Sequence, residues 1–370
     1  MDFGLTEQQQ LLKDSVERFV ADEYAFDARR KIVQSEEGFS RAHWATFAEL
    51  GLLGLTVAED EGGFGGGAVD TAVVMEAFGS GLVVEPFLST VVLCGSLIKL
   101  TAAPAQRAAL LPDMIDGSRL FAFAHTERRA RYDLGRVDAK ATPSGDGWTI
   151  DGAKSLALGG PAAGTLIVSA RTPKGISLFL VDAAAPGVSL RPYQTIDGQR
   201  AAEVTLAGVA AGREAMLGPD GGALPAIRHA VDIATSAVCA EAIGCMQALV
   251  DATRDYLNTR EQFGTKIGNF QALQHALVEM FIELEQARSL AIVAAVHADD
   301  PDPAVREKPL SAAKVQVGKG GRFVGQKAVQ LHGGMGMTDE LKVGHYFKRL
   351  TAIEQSFGDS DHHLARYQAA

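Results

Sequence analysis

The sequence predicts a mainly α-helical α+β protein: an N-terminal helical domain, a middle antiparallel β-domain and a C-terminal four-helix bundle. Two observations point there. Apolar residues recur at helical spacing in the first and last parts of the 370 residues. Short strand-like runs broken by Gly, Asp and Pro crowd the middle. The expected domain limits are 1–117, 118–215 and 222–370. With 47% apolar residues, such a chain can bury a large core.

The elements follow in order. Thr6-Glu7-Gln8-Gln9 is a capping box, and Leu12, Val16, Phe19 and Val20 follow at helical spacing. A second helix is expected from Arg41 to Leu50, stopped by Gly51. The glycine-rich run Glu59 to Gly67 reads as a loop. Further helices are expected near Val69–Gly79, Pro86–Leu100 and Ala103–Ile115. Strands are expected at Leu120–His125, Trp148–Asp151, Lys154–Leu158, Thr165–Ala170, Ile176–Val181, Val188–Pro192 and Glu203–Leu206. Their Asp-Gly and Pro-Gly turns suit an antiparallel sandwich or barrel. Beyond Gly222, one helical stripe carries Ala242, Met246, Leu249, Thr253 and Tyr256. A second carries Leu273, Leu277, Met280, Leu284 and Ala291. Pro301-Asp302-Pro303 breaks it, a third helix runs from after Pro309 to Leu331, and a fourth covers Leu341–Ile353.

Composition narrows the function. With 35 basic and 45 acidic residues the net charge is −10, against the basic footprint of a nucleic-acid protein. Cys94, Cys239 and Cys245 have neither disulfide-framework nor zinc spacing, which suggests a reducing, cytoplasmic setting. Met1-Asp2-Phe3 lacks the basic start of a signal peptide. Glu85-Pro86 interrupts the apolar stretch Gly79–Ile98, so no membrane span is expected.

Several segments could carry chemistry. In Arg260-Glu261-Gln262-Phe263-Gly264, the arginine fork matches a phosphate, or it satisfies the last carbonyls of its own helix. Gln330-Leu331-His332-Gly333-Gly334-Met335-Gly336 reads as a phosphate-cradling loop or as a helix stop. His332 by itself suits a structural role. His125-Thr126-Glu127 could line a site or be a solvated strand end. Asp359, Asp361, His362 and His363 lack a metal pattern, and no metal is expected. A Gly-x-Ser-x-Gly elbow and a P-loop are both missing from the sequence.

Together these segments resemble the acyl-CoA dehydrogenase family. The resemblance rests on Leu5-Thr6-Glu7-Gln8-Gln9, Leu50-Gly51-Leu52-Leu53-Gly54-Leu55 before Glu59-Asp60-Glu61-Gly62-Gly63, and Thr126-Glu127. It rests also on Arg260-x-Gln262-Phe263-Gly264 and Gln330-x-x-Gly333-Gly334-x-Gly336. It implies FAD as cofactor, an acyl-CoA thioester as substrate, α,β-desaturation as reaction and an electron-transferring flavoprotein as acceptor. It implies dimers or tetramers in which Arg260, Gln262, Phe263, Phe270, Gln271, Gln330, Gly333 and Gly334 hold the FAD of a neighbouring subunit. Thr126 is an expected contact as well.

The departures matter more. The family's usual base position, 27 residues after Gln330, holds Phe357, and its alternative, 26 before Arg260, holds Ala234. Glu241, Glu354 and Asp359 are the nearby acids. Glu241 lies two turns past Ala234, about 10 Å along a helix. The strand that resembles the family's flavin-covering segment reads Lys154-Ser155-Leu156-Ala157-Leu158, with Leu156 where the family has an indole. Arg128-Arg129-Ala130-Arg131 stands where the family has a Gly-Ser-Asp loop. The pattern is similar to the smaller subunits of heteromeric acyl-CoA dehydrogenases of the pimeloyl-CoA or steroid side-chain type. A self-sufficient homomer with a displaced base, and a non-catalytic acyl-CoA-binding or scaffold homologue, are the other readings.

Overall fold

The computed structural model describes residues 4–370. The Met1-Asp2-Phe3 start lies outside the described residues. The helices of the first third are α1 (Glu7–Glu23), α2 (Phe26–Gln34), α3 (Arg41–Glu49), α4 (Ala68–Gly81), α5 (Gly95–Thr101) and α6 (Pro104–Ile115). The middle holds β1 (Phe121–Ala124), β2 (Lys140–Ser144), β3 (Gly147–Leu158) and β4 (Thr165–Thr172). It continues with β5 (Gly175–Asp182), β6 (Val188–Gln194), β7 (Arg200–Ala211) and β8 (Met216–Leu217). Then come α7 (Leu224–Thr259), the short pair β9 (Glu261–Gln262) and β10 (Thr265–Lys266), and α8 (Gln271–His297). The chain ends with α9 (Pro303–His332), α10 (Lys342–Gln355) and α11 (Ser360–Ala369).

These elements sort into two compact units. One runs to Lys31 and adds Ala68–Val83 and Thr235–Ala370; the other holds Ile32–Gly67 and Val84–Ala234.

The first unit is helical. Its start is the capping box expected from sequence: Gln9 N donates to Thr6 Oγ1 at 3.2 Å and Thr6 N to Gln9 Oε1 at 3.0 Å. α9 packs against α8, α10 and α11 and supplies the middle of the bundle. The stripe Ala242, Met246, Leu249 and Thr253 is buried, as are Met280, Leu284 and Ala291. α4 crosses α7 at van der Waals distance because both helices place glycine there. A Cβ on Gly244 would stand 1.9 Å from Glu76 O, and one on Gly79 2.0 Å from Glu241 O. The thiol of Cys245 donates to Gly79 O at 3.3 Å in the same crossing.

The second unit is built on the sheet, whose strand order is β6-β7-β3-β2-β4-β5-β8. All main pairings are antiparallel, but β1 runs parallel to β4, and β2 meets β4 in parallel at Lys140↔Arg171. The two runs expected at Trp148–Asp151 and Lys154–Leu158 form one strand, β3, because its register shifts absorb the Asp151-Gly152 break. Leu88–Cys94 is a π-helix rather than part of one long α-helix. Thr90 Oγ1 donates to Phe121 O at 2.9 Å and accepts from Phe121 N at 3.2 Å, tying that π-helix to β1.

Three further differences from the sequence reading have local causes. α2, β2 and α11 were not anticipated because each is short and polar. α9 begins at Pro303, since proline fits the first turn of a helix, and Pro309 is carried inside it. α7 is the one helix among the described residues long and apolar enough to cross a membrane. Its most apolar stretch is 89% buried within the protein, so it is a core helix.

Replacing Gly244 with alanine forces the α4–α7 crossing apart. We expect a loss of at least about 1–3 kcal/mol in urea unfolding, with an equivalent loss for Gly79→Ala.

Candidate functional site

Most sequence-derived candidates sit at one end of the helical unit. α7 ends at Thr259, and a two-residue hairpin turn follows. Phe263 and Gly264 both take positive φ, +56° and +76°, the geometry that closes so short a hairpin. Phe263 stands 91% exposed at its tip, edge-on to Phe270 with ring centroids 6.1 Å apart. Arg260 and Gln262 are exposed; Ile267 N donates to Arg260 O at 2.9 Å and closes the base of the loop. The Arg260 guanidinium has no ion-pair or hydrogen-bond partner among the described residues. Phe270 and Gln271 open α8 just beyond.

The glycine loop leaves the same end. His332 closes α9 and stacks on Tyr256 of α7 with centroids 4.4 Å apart. This stack places Gly333 and Arg260 at neighbouring helix ends. Nδ1 of His332 meets Ala328 O at 2.8 Å, and burial pushes the imidazole below its ordinary pKa. His332 is therefore structural. Gly333 has φ +60° and ψ −142°, which only glycine adopts easily. Gly333 and Gly334 have open space where a Cβ would be. Gln330 is exposed beside them.

The turn after α10 carries Phe357, the position at which the resemblance led us to expect a base. Phe357 takes φ +58° and Gly358 φ +117°. Lys314 of α9, fully buried, fixes this turn by donating to Glu354 O at 3.0 Å and to Gly358 O at 2.6 Å. His363 adds a third fastening, with Nε2 3.2 Å from Phe357 O and Nδ1 3.4 Å from Ser311 Oγ. Nε2 is thereby the protonated nitrogen of a neutral ring. Burial, then the Lys314 ammonium, pushes the His363 pKa down to about 3. His362 stands nearly perpendicular to it, so the two rings do not converge on one ion.

Each of the three candidate acids has a structural contact, although Oε2 of Glu354 is buried without a hydrogen-bond partner among the described residues. Glu241 forms a buried bidentate pair with Arg349, both oxygens 2.6 Å from guanidinium nitrogens. Glu354 is buried and uses Oε1 to accept from Ser360 N at 3.1 Å, capping α11. Asp359 is the N-cap of that helix and accepts from His362 N at 2.9 Å. None is left as an exposed base. Lys314 escaped the sequence reading, for which a lysine on the buried stripe of α9 was the available signal; His363 was weighed only as a metal ligand, and its place is against the turn.

In the sheet unit, Thr126 is half-buried just past β1, and its carbonyl accepts from Ser155 N at 2.8 Å. The two residues beside it are neither solvated nor open. Glu127 accepts from Lys154 Nζ at 2.7 Å, and His125 Nδ1 lies 2.9 Å from Ser169 Oγ. Burial, then Lys154, pushes the His125 pKa down to about 3. Leu156 occupies an irregular step of β3 with φ +55° and is 46% exposed. It offers an apolar side chain, with no donor for a flavin ring.

Comparisons with known proteins identify the family. Residues 6–118, 122–209 and 224–370 match the acyl-CoA dehydrogenase N-terminal, middle and C-terminal domains. The chain belongs to the acyl-CoA dehydrogenase family. It is 31% identical to the steroid ACAD Tcur3481-Tcur3483, with TM-score 0.89, covering 98% of this chain and 97% of that one. It is 26% identical, with TM-score 0.91, to a chain of the ChsE4-ChsE5 complex from Mycobacterium tuberculosis, covering 100% and 98%. It is 28% identical to acryloyl-CoA reductase (NADH) of Anaerotignum propionicum, over 98% of this chain and 94% of that protein. Family members are FAD-dependent oxidoreductases, and FAD is the cofactor of this chain. The residues present fit part of that group: Arg260 and the open Gly333-Gly334 backbone suit phosphates.

Two outcomes test this geometry. Arg349→Ala strands the buried Glu241 carboxylate, and we expect a loss of about 3–5 kcal/mol in urea unfolding. The His363 pKa lies below its unfolded value near 6.5, so between there and about 3 the unfolded chain binds a proton that the folded chain refuses. Stability from this group is complete above pH 6.5 and is lost on acidification, by about 1.4 kcal/mol per pH unit. His363→Gln should flatten the stability profile by that slope below pH 6.5 and leave it unchanged in slope above pH 7.

Proposed function

We propose that the chain is a subunit of a heteromeric FAD-dependent acyl-CoA dehydrogenase, in which a related subunit supplies the proton-accepting carboxylate. One observation carries this reading. Phe357 occupies the turn where the family's base stands, and Glu241, Glu354 and Asp359 are committed to an ion pair and two helix caps. A turn held so firmly, with an apolar side chain upon it, cannot take an α-proton.

The exposed end of the bundle has a different role. Arg260 offers a planar fork to the FAD diphosphate of the adjoining subunit. Gly333 and Gly334 let that group approach the backbone closely. Phe263 and Phe270 give apolar cover, and Gln262, Gln271 and Gln330 give amide contacts. Thr126 is proposed as a further flavin contact. When bound, FAD accepts the hydride that leaves the β-carbon of the thioester. Val278, Phe281 and Ile282 leave an exposed apolar face on α8, and such faces mark contacts with another subunit. The relatives at 31% and 26% identity are both two-component proteins by name, which supports the same reading. An electron-transferring flavoprotein is the proposed acceptor, and the proposed setting is cytoplasmic.

The test is a visible spectrum of the purified protein, alone and after co-expression with a larger homologue. We expect it to be nearly colourless alone and to carry flavin in the assembly. Arg260→Ala should weaken flavin retention in the assembly about tenfold, the value of one charge-assisted bond. Stoichiometric FAD in the protein alone, with oxidation of an acyl-CoA, would overturn the heteromer reading.

A further inference from the structure

The helical unit carries a cavity that the proposed reaction leaves unused. Its volume is about 300 Å³, the lower end of the range for small-ligand pockets. It lies where the end of α1, the end of α4 and the start of α10 come together. Its wall is apolar and aromatic: Val20, Tyr24, Leu82 and Tyr346, all four buried. Its rim carries one acid, Glu17, and one cation, Lys342, both exposed. None of these six is among the residues proposed to hold FAD.

The wall is fixed by hydrogen bonds and close packing. Tyr346 Oη donates to Ser80 O and ties α10 to α4. Arg29 Nε donates to Leu82 O at 2.8 Å. Leu82 itself takes φ +55°, an uncommon conformation for a residue with a side chain. Gly81 lets α1 and α4 close on one another, since a Cβ there would stand 2.6 Å from Val20 Cγ1. A cavity held by such a frame exists before a ligand arrives, which lowers the cost of binding.

The fold does not use up the two rim charges. The Lys342 amine has no ion-pair or hydrogen-bond partner among the described residues. Glu17 has one ion pair, with Lys13 of its own helix at 3.7 Å, and an exposed pair of that kind is weak. Glu17 and Lys342 line one cavity and yet do not pair with each other. Their charges sum to 1 − 1 = 0, which disfavours a ligand of high net charge such as a phosphate ester. A ligand with an anion and a cation a short distance apart answers both, while its apolar part covers the wall. Lys342 is also the first residue of α10, where the helix dipole favours an anion. We infer that this cavity binds a small zwitterion with an apolar side chain, an α-amino acid of the size of leucine or phenylalanine. Its carboxylate meets Lys342 and its ammonium meets Glu17. The inference rests on the cavity and not on the acyl-CoA reading.

The experiment is calorimetric titration of the purified protein with leucine and phenylalanine, and with three truncated probes. Isocaproate lacks the ammonium, isoamylamine lacks the carboxylate, and glycine lacks the apolar side chain. We expect at least one of the two full amino acids to bind, and each truncated probe to bind at least about tenfold more weakly. Lys342→Gln and Glu17→Gln should each weaken the amino acid by a similar factor. Ala21→Trp, which fills the cavity from an exposed position on α1, should abolish binding. Lys319→Gln, exposed elsewhere in the unit, should bind as the original does. No heat with either amino acid at millimolar concentration overturns the inference. Isocaproate binding as tightly as leucine overturns it too, because the occupant is then a simple carboxylate. Unchanged binding in Ala21→Trp also overturns it, because the ligand then sits elsewhere. The probe series uses the unaltered protein, so it decides even where a variant fails to fold. No arm uses flavin or an acyl-CoA, so this outcome and that of the dehydrogenase reading stand apart.

Discussion

The Lys314 amine has no carboxylate in direct contact among the described residues, and that constraint shapes the end of the helical unit. A buried ammonium is costly unless it is fully hydrogen-bonded. Burial lowers the Lys314 pKa, and two backbone carbonyls, of Glu354 and Gly358, answer for its charge. Those carbonyls sit on either side of Phe357. The turn between α10 and α11 is thus set by a lysine on α9, whatever side chain the turn displays. His363 and the Glu354 cap secure the same few residues from the other helix.

This separates the frame of a site from its chemistry. The frame is complete: a fixed turn, an exposed arginine, an open glycine backbone and a hairpin tip. The reactive groups are not, because each nearby acid already has a structural duty. Glu241 shows the logic most clearly. Its bidentate pair with Arg349 joins α7 to α10, and drawing the carboxylate away for proton transfer would take from a buried guanidinium the carboxylate that balances its charge.

Much of this was legible in the sequence, and the reasons for the rest are physical. Periodicity exposes long amphipathic elements, so α7, α8 and the buried stripe of Met246 and Leu249 could be read directly. The capping box at Thr6 is a local interaction, and local interactions are written locally. α11 was hidden because Leu364 and Tyr367 are its only large apolar residues, too few for a stripe, and β2 because Lys140–Ser144 buries Ala141 alone. The clustering of Arg260 with Gly333 could be suspected only from the family resemblance; the Tyr256–His332 stack that produces it joins residues far apart in sequence. His125 and Glu127 misled in the other direction, since nothing in a sequence marks a strand end as covered.

The two units are also unequal in how the chain builds them. The sheet unit is drawn from Ile32–Gly67 and Val84–Ala234, segments complete before the last third of the chain exists. The helical unit needs α1 and α4 to wait for Thr235–Ala370. On a ribosome, where synthesis runs from the N-terminus, the sheet unit can therefore condense first. α4 meanwhile can meet α1 but lacks its later neighbours: Val74, Met75 and Phe78 are all buried in the finished protein. During that interval these side chains are open to chaperones or to other nascent chains. The order of the sequence thus writes a period of vulnerability into biosynthesis, one that ends only when α7 arrives to meet Gly79.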